Sequence, residues 1–383
     1  MKTSVESLIL SSKQHLESLF DSITDPILII GPDYAIERLN AAAAHHSGGR
    51  FHDSLRKKCY ERFHGRNMPC PECPFDLAFF RRKQDSVKMM RPKEGRERIW
   101  DMRYFPFLSK EGRVEAVVEH YVEVTEGEEA KAKLAEAYTG IKRDLGVAKK
   151  IQEALLPYRP PTVPGLLLQS YCRPAQEVGG DLIDFIKIDP ARTGILIADV
   201  SGHGVPASLV AAMAKMSFYT HTANQLGSAQ VMERVNRDLF HNLVMEYFVS
   251  ALYTVYDATS GRLTYSRAGH PPALLLEKKT GRLRELSGSG FFLGMMKQGA
   301  FEEKQIRLQP GDRLLFYTDG VLYLQGPRKA WFDLRALKAF FRETRNRPLR
   351  TVKACLVAEM ARSSRKAADD ATFILLEVFS GRD

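Results

Sequence analysis

Two stretches decide how this chain is read: "RPAQEVGGDLID" (173–184) and "ILIADVSGHG" (195–204). Asp181 and Asp184 stand three apart directly after Gly179 and Gly180, and Asp199 ends an apolar run. A buried carboxylate pair is costly to desolvate unless something cationic lies beside it. The pattern recurs downstream, with Asp319 in "LLFYTDGV" (314–321) and Asp369 beside Asp370 in "RKAADDATFILLEV" (365–378). "GILIA", "RLLFY" and "ATFILLEV" read as core strands, so the aspartates at their ends converge where a sheet meets solvent. The glycines let the backbone turn sharply and approach a ligand closely. Convergent carboxylates repel one another unless divalent cations lie among them, and all-oxygen ligation favours Mg2+ or Mn2+ over zinc. Taken singly, "TDG" is an ordinary turn and "DD" an ordinary cap. In order within one segment, the four acidic sites form a constellation.

Working outward, the chain has 383 residues, 44% of them hydrophobic, which suits about two globular domains. The net charge of +10 comes from scattered basic residues, as in "RKK" (56–58) and "RETRNRPLR" (342–350). No recognition helix or aromatic platform runs through them, so a nucleic-acid partner is not expected. The start lacks the features of a signal peptide, and no window approaches ~18 apolar residues, so no membrane span is expected. Five cysteines at 59, 70, 73, 172 and 355 make an odd, uneven set, which points to a reducing cytoplasm and not to a disulfide framework.

Four segments are expected: an N-terminal helix over 1–18, a small α+β domain over 19–125, a helical linker over 126–157, and an α+β domain over 158–383 that carries the acidic motifs. In the second segment, "PILII" (26–30) reads as a strand closed by "GPD", and "AIERLNAAA" leads into a helix. "RIWDMRYFPFL" (98–108) and "VEAVVEHYVEV" (114–124) read as neighbouring antiparallel strands. This order of elements resembles a PAS sensor domain. Inside it, Cys59, His64, Cys70 and Cys73 are spaced C-x4-H-x5-C-x2-C, open to three readings: a structural zinc site, a redox pair, or plain buried thiols. In the linker, Leu134, Tyr138, Ile141, Leu145, Ala148, Gln152 and Leu155 step by four and three, a heptad seam suited to a parallel coiled-coil homodimer, with Gly146 and Gln152 as flaws.

The last segment resembles the SpoIIE family of protein serine/threonine phosphatases, within the metal-dependent PPM (type 2C-like) superfamily. The resemblance rests on "AKKIQEALLP", "RPAQEVGGDLID", "ADVSGHGVPASLVAAM", "YFVSALYTVYDATSGRLTYSRAGHPPALLL", "LQPGDRLLFYTDGV" and "DDATFILL". It implies a central β-sandwich flanked by helices, and two Mn2+ or Mg2+ ions held by Asp181, Asp199, the Val200 carbonyl, Asp319 and Asp369. Asp181 and Asp199 are then catalytic through a metal-activated water that attacks a phosphoserine or phosphothreonine. Asp184, Asp370, Gly202, His203 and Gly320 flank the ligands, and Arg173 is a candidate phosphate contact. The resemblance also implies a phosphorylated STAS-type anti-sigma factor antagonist as substrate. A catalytically silent phosphoprotein-binding module is the second reading. A diguanylate cyclase, suggested by "GGDLIDF", is rejected because Leu182 stands where a glutamate belongs.

Overall fold

The computed structural model describes residues 2–379, apart from 49–50, 94–95, 157–158, 225, 245, 323, 326–330 and 364–368. The expected domain boundary at 157/158 therefore lies outside the described residues. The chain divides into two compact units, Met1–Thr139 and Gly140–Asp383.

The first unit opens with the helix Lys2–Ser22 and contains one antiparallel sheet. Its strand order is Ile36–Leu39, Ile27–Ile30, Val114–Glu123, Arg96–Leu108, Asp85–Lys93. The two long strands read from the sequence pair directly, with Met102 opposite Tyr121 and Tyr104 opposite Glu119. The helices Ala41–His46, Cys59–Arg62 and Pro74–Arg81 supply Ala43, Cys59, Phe63, Phe75 and Ala78 to the core against Trp100, Met102, Tyr104 and Tyr121. Asn40 fixes the entry to the first of these helices. Its buried side chain accepts from the backbone of Ala43 and Ile27 and donates to the carbonyls of Ile23 and Asp25. Capping of this kind satisfies donors that a helix start leaves open.

The second unit is a four-layer sandwich. One sheet runs Lys304–Arg307, Arg262–Ala268, Val249–Asp257, Arg192–Val200, Leu182–Lys187, and the other Leu283–Leu286, Ala273–Leu276, Arg313–Tyr317, Ala371–Val378, Leu166–Arg173. All pairings within both sheets are antiparallel. Ile183, Ile195, Ile197 and Leu252 pack against Leu314, Phe316, Ile374 and Leu376 to form the seam between the sheets. The helices Gly204–Thr222 and Ser228–Asn242 cover the outer face of the first sheet through Ala207, Ala211, Ala214, Phe218, Val231 and Val235. The helices Leu334–Glu343 and Leu349–Ser363 cover the second through Leu337, Phe341, Val352 and Leu356. Because both faces of each sheet are buried, the central strands read as continuous apolar runs and not as an alternation.

The helix Thr125–Leu155 crosses from the first unit into the second. Its seam residues Leu134, Tyr138 and Ile141 are more than 60% exposed, an apolar stripe with no cover in a single chain. No helix among the described residues is long and apolar enough to cross a membrane.

Candidate active site

The acidic motifs meet at one end of the sandwich, with contributions from both sheets. Asp181 precedes the strand Leu182–Lys187 and is 3% exposed. Its Oδ2 accepts from the Thr318 hydroxyl at 2.9 Å, which ties the first sheet to the strand end that leads into Asp319. The Thr318 hydroxyl in turn accepts from the Thr372 amide at 3.0 Å, and the Thr318 amide donates to the Thr372 carbonyl at 3.0 Å. Asp181 Oδ1 is buried with no hydrogen-bond partner. Asp199 lies near the end of the strand Arg192–Val200, with its carboxyl against that of Asp181. Asp319, on the short turn Asp319–Val321, and Asp369 are exposed at the mouth, and their charges act on Asp199.

The electrostatics follow from like charges in a confined space. Burial, and next the Asp199 charge, push Asp181 well above the usual carboxylate range. Burial followed by Asp319, Asp369 and Asp370 lifts Asp199 to about 7. Asp369 is also raised, mainly by burial, with His203 pulling the other way. Among the described residues no three His, Cys, Asp or Glu side chains are drawn together closely enough to hold an ion by themselves. The donor set nonetheless fits hard divalent cations. It consists of carboxylates with an orphaned buried oxygen at Asp181, and of a Val200 carbonyl 3.1 Å from the point where a side chain on Gly180 would begin.

Asp369 and Asp370, adjacent in sequence, have different work. Asp370 is buried, and its carboxylate binds the backbone of the glycine loop: Oδ1 accepts from Ala175 N at 2.6 Å, and Oδ2 from Gly180 N at 2.6 Å and Asp181 N at 3.4 Å. Charge-assisted bonds to backbone amides are strong, so Asp370 sets the shape of the loop that carries Asp181. The glycines are required by that fit. A Cβ on Gly179 would lie 2.4 Å from Asp370 Oδ2, and one on Gly320 1.9 Å from the Asp370 carbonyl. Asp369 turns back on the Asp370 amide at 2.8 Å and leaves an oxygen for the mouth.

Asp184 points elsewhere. It lies on the strand Leu182–Lys187, 3% exposed, with Oδ2 2.5 Å from Lys215 Nζ on the helix Gly204–Thr222. This ion pair supplies the counter-charge that the sequence left open, and it fastens the covering helix to the strand after the acidic loop. Gly202 adopts φ +90°, a conformation that suits glycine, and sends the chain round into that helix. His203, exposed at the helix cap, meets Gln176 Nε2 through Nδ1 at 2.8 Å. Arg173 ends the strand Leu166–Arg173 opposite Ala371, and its Nε and Nη2 are buried without a partner.

Several residues at this site carry no sequence signal. Thr318 and Thr372 are unremarkable in "YTDG" and "DDAT". Lys215 sits within an apolar helix. Gln152, a flaw in the heptad seam, is buried against the acidic loop: its Nε2 donates to Gly179 O at 2.7 Å, and its Oε1 accepts from Gly179 N at 3.3 Å. The linker helix therefore holds the backbone two residues before Asp181.

Cys59, Cys70 and Cys73 share the core of the first unit with His64 nearby, and among the described residues no three of these side chains are drawn together closely enough to hold an ion. His64 Nδ1 faces the Arg91 guanidinium at 2.5 Å, and its Nε2 faces Glu119 at 3.9 Å. Burial raises the Cys59, Cys70 and Cys73 thiols, Cys73 to about 12, which makes them poor nucleophiles in the metal-free chain. Cys59 and Cys73 are buried and Cys70 is half-buried, a packing in keeping with the plain-thiol reading.

Two antiparallel sheets stacked face to face, covered by helix pairs and closed at one end by aspartates, define the architecture of a PP2C-type phosphatase domain. More narrowly, residues 189–379 are a SpoIIE domain, matching the model for stage II sporulation protein E, and residues 20–129 match the PAS fold. Among curated relatives, the phosphoserine phosphatase RsbU of Bacillus subtilis is 29% identical over 181 residues, which are 47% of this chain and 54% of that protein. The phosphoserine phosphatase RsbP of the same organism is 29% identical over 244 residues, 62% of this chain and 58% of that protein. The chain thus spans little more than half the length of these relatives. Among solved structures, the SiaA PP2C domain of Pseudomonas aeruginosa superposes with a TM-score of 0.56 at 23% identity, over 64% of this chain and 100% of that one, a likeness of fold.

Proposed function

We propose that this chain is a sensor-controlled protein phosphatase that hydrolyses phosphoserine or phosphothreonine on a partner protein. The observation that carries the reading is the buried Asp181 oxygen without a hydrogen-bond donor, set among carboxyls that repel one another when ionised and that bound cations would neutralise. Asp181, Asp199, the Val200 carbonyl, Asp319 and Asp369 would hold two Mg2+ or Mn2+ ions. When bound, such ions acidify a water to a nucleophile at neutral pH and neutralise charge on the phosphoryl oxygens.

The chain's own residues prepare that chemistry. Thr318 fixes the rotamer of Asp181 through its hydrogen bond, and Asp370 holds the loop backbone. In this reading Arg173, whose buried Nε and Nη2 have no hydrogen-bond partner among the described residues, is the candidate phosphate contact. His203, steadied by Gln176, stands at the mouth near Asp369, where it could pass a proton to the leaving group. The exposed Leu134, Tyr138 and Ile141 support a homodimer through the linker helix. The Gln152 clamp supports a linker that sets the order of the acidic loop according to the state of the PAS domain. Within this reading, the substrate is a phosphorylated STAS-type anti-sigma factor antagonist, in a cytoplasmic partner-switching pathway.

The test is hydrolysis of phosphorylated STAS proteins, and of p-nitrophenyl phosphate, across Mg2+ and Mn2+ concentrations. Saturable metal-dependent turnover of both is expected. Binding of the phosphoprotein with no turnover at any metal concentration would establish the silent module instead.

A further inference from the structure

The first unit contains a basic cavity that the phosphatase reading does not use. It has a volume of about 370 Å³ and is lined by His46, Ser47, Arg62, Phe63, His64 and Arg91. That volume is in the range of small-molecule sites. Its walls come from the end of the helix Ala41–His46, the end of the helix Cys59–Arg62, and the strand Asp85–Lys93.

Its charge is one-sided. Among the described residues Arg62 bonds hydroxyls, Ser54 Oγ at 3.0 Å and Ser47 Oγ at 3.4 Å. The Arg91 guanidinium donates to the Phe63 carbonyl and to His64 Nδ1. Among the described ion pairs neither arginine has a carboxylate partner. Because Nδ1 accepts from Arg91, the neutral His64 ring has its proton on Nε2. Burial, with the charges of Arg91 and Arg66, holds the imidazole neutral down to about pH 4. The nearest buried acid, Glu119, does not line the cavity; burial raises its carboxyl above the usual range, while the Tyr104 and Tyr121 hydroxyls and the Arg91 charge pull the other way. Two guanidinium forks and a serine hydroxyl face one cavity, and no carboxylate is among the described residues that line it. Arginine forks match the paired oxygens of carboxylate and phosphate.

We infer that this cavity is the PAS domain's ligand site, and that it takes a small anion through a carboxylate or phosphate group held by Arg62 and Arg91. Trp100 provides a local reporter. It is buried, its ring lies 4.8 Å from that of His46 on the cavity wall, and Trp331 is the chain's other tryptophan.

The experiment uses the full chain with Trp331→Phe, titrated with succinate or inorganic phosphate while NaCl keeps the ionic strength constant. A saturable change in Trp100 emission is expected for at least one of the two, with a midpoint of about 1 mM or below. The tighter binder identifies the oxygen group recognised. Arg62→Gln and Arg91→Gln should each weaken binding about tenfold. Asp181→Asn should leave the titration unchanged, which separates this site from the acidic one. Arg91 also braces Phe63 and His64, so circular dichroism checks that variant, and Arg62→Gln carries the test if it misfolds. No saturable change with either anion, or a saturable one unchanged in Arg62→Gln, overturns the assignment.

Discussion

The acidic end of the second unit and the thiol-bearing part of the first both gather side chains of metal-ligand type, and they differ in what surrounds them. Around Asp181 the neighbours are other carboxylates, and one buried oxygen has no donor. Around His64 the ring nitrogens face Arg91 and Glu119, and the thiols sit in an apolar core that keeps their protons on. Residue type and spacing nominated both clusters. The balance of charge separates them: a cation removes repulsion among the carboxyls of the first, while in the second the Arg91 guanidinium already faces His64.

The largest expected effect comes from removing one carboxylate of the central pair. Asp199→Asn should lower metal-dependent phosphate hydrolysis by roughly a hundred- to a thousandfold or more. The same change relieves repulsion in the metal-free protein, so its melting temperature should rise. Activity lost together with stability would point to misfolding and would undo the comparison. Next comes pH. The folded state raises Asp199 to about 7 from an unfolded value of 3.8, so it prefers the protonated form. Its favourable contribution is complete below about 4 and is lost as pH rises through about 7. Thermal melts without metal should therefore show stability falling across that window, and Mn2+ should restore more of it at pH 8 than at pH 5.

A smaller effect tests the linker clamp. Gln152→Ala leaves the buried Gly179 amide and carbonyl without partners, a local cost of about 1–3 kcal/mol. Hydrogen exchange in residues 178–181 should accelerate and turnover should fall, whereas unchanged exchange would detach the linker from the acidic loop. The smallest effect belongs to the other cluster. Cys70→Ser should change unfolding free energy by less than about 0.5 kcal/mol, measured by urea denaturation with and without a zinc chelator. A large loss that zinc restores would reinstate the metal reading.

Much of this was legible in the sequence, for physical reasons. Apolar runs broken by aspartate and glycine located the core strands and the acidic end, because an unpaired carboxylate is costly to bury along a strand, and Asp184, which is buried there, is paired with Lys215. The roles of neighbouring acids were not legible. Asp369 and Asp370 look alike in "DD", and only the fold turns one to solvent and the other to the backbone of Gly180 and Asp181. Asp181 and Asp184 share a motif, yet Lys215, far along the chain, takes the second away from the mouth. Gln152 read as a defect in a seam because its partner is a backbone group, which has no side-chain signature. The three readings of the C-x4-H-x5-C-x2-C stretch could not be separated from the stretch itself, because Arg91 and Glu119, which face His64, lie well outside it.

The central claim is that the acidic end is a two-cation site, and calorimetric titration of metal-free protein with Mn2+ at pH 8 tests it most directly. Two bound ions per chain are expected in the wild-type protein, with binding reduced to one or none in both Asp181→Asn and Asp199→Asn. Mn2+ binding that is absent, or that is unchanged by both substitutions, would contradict it.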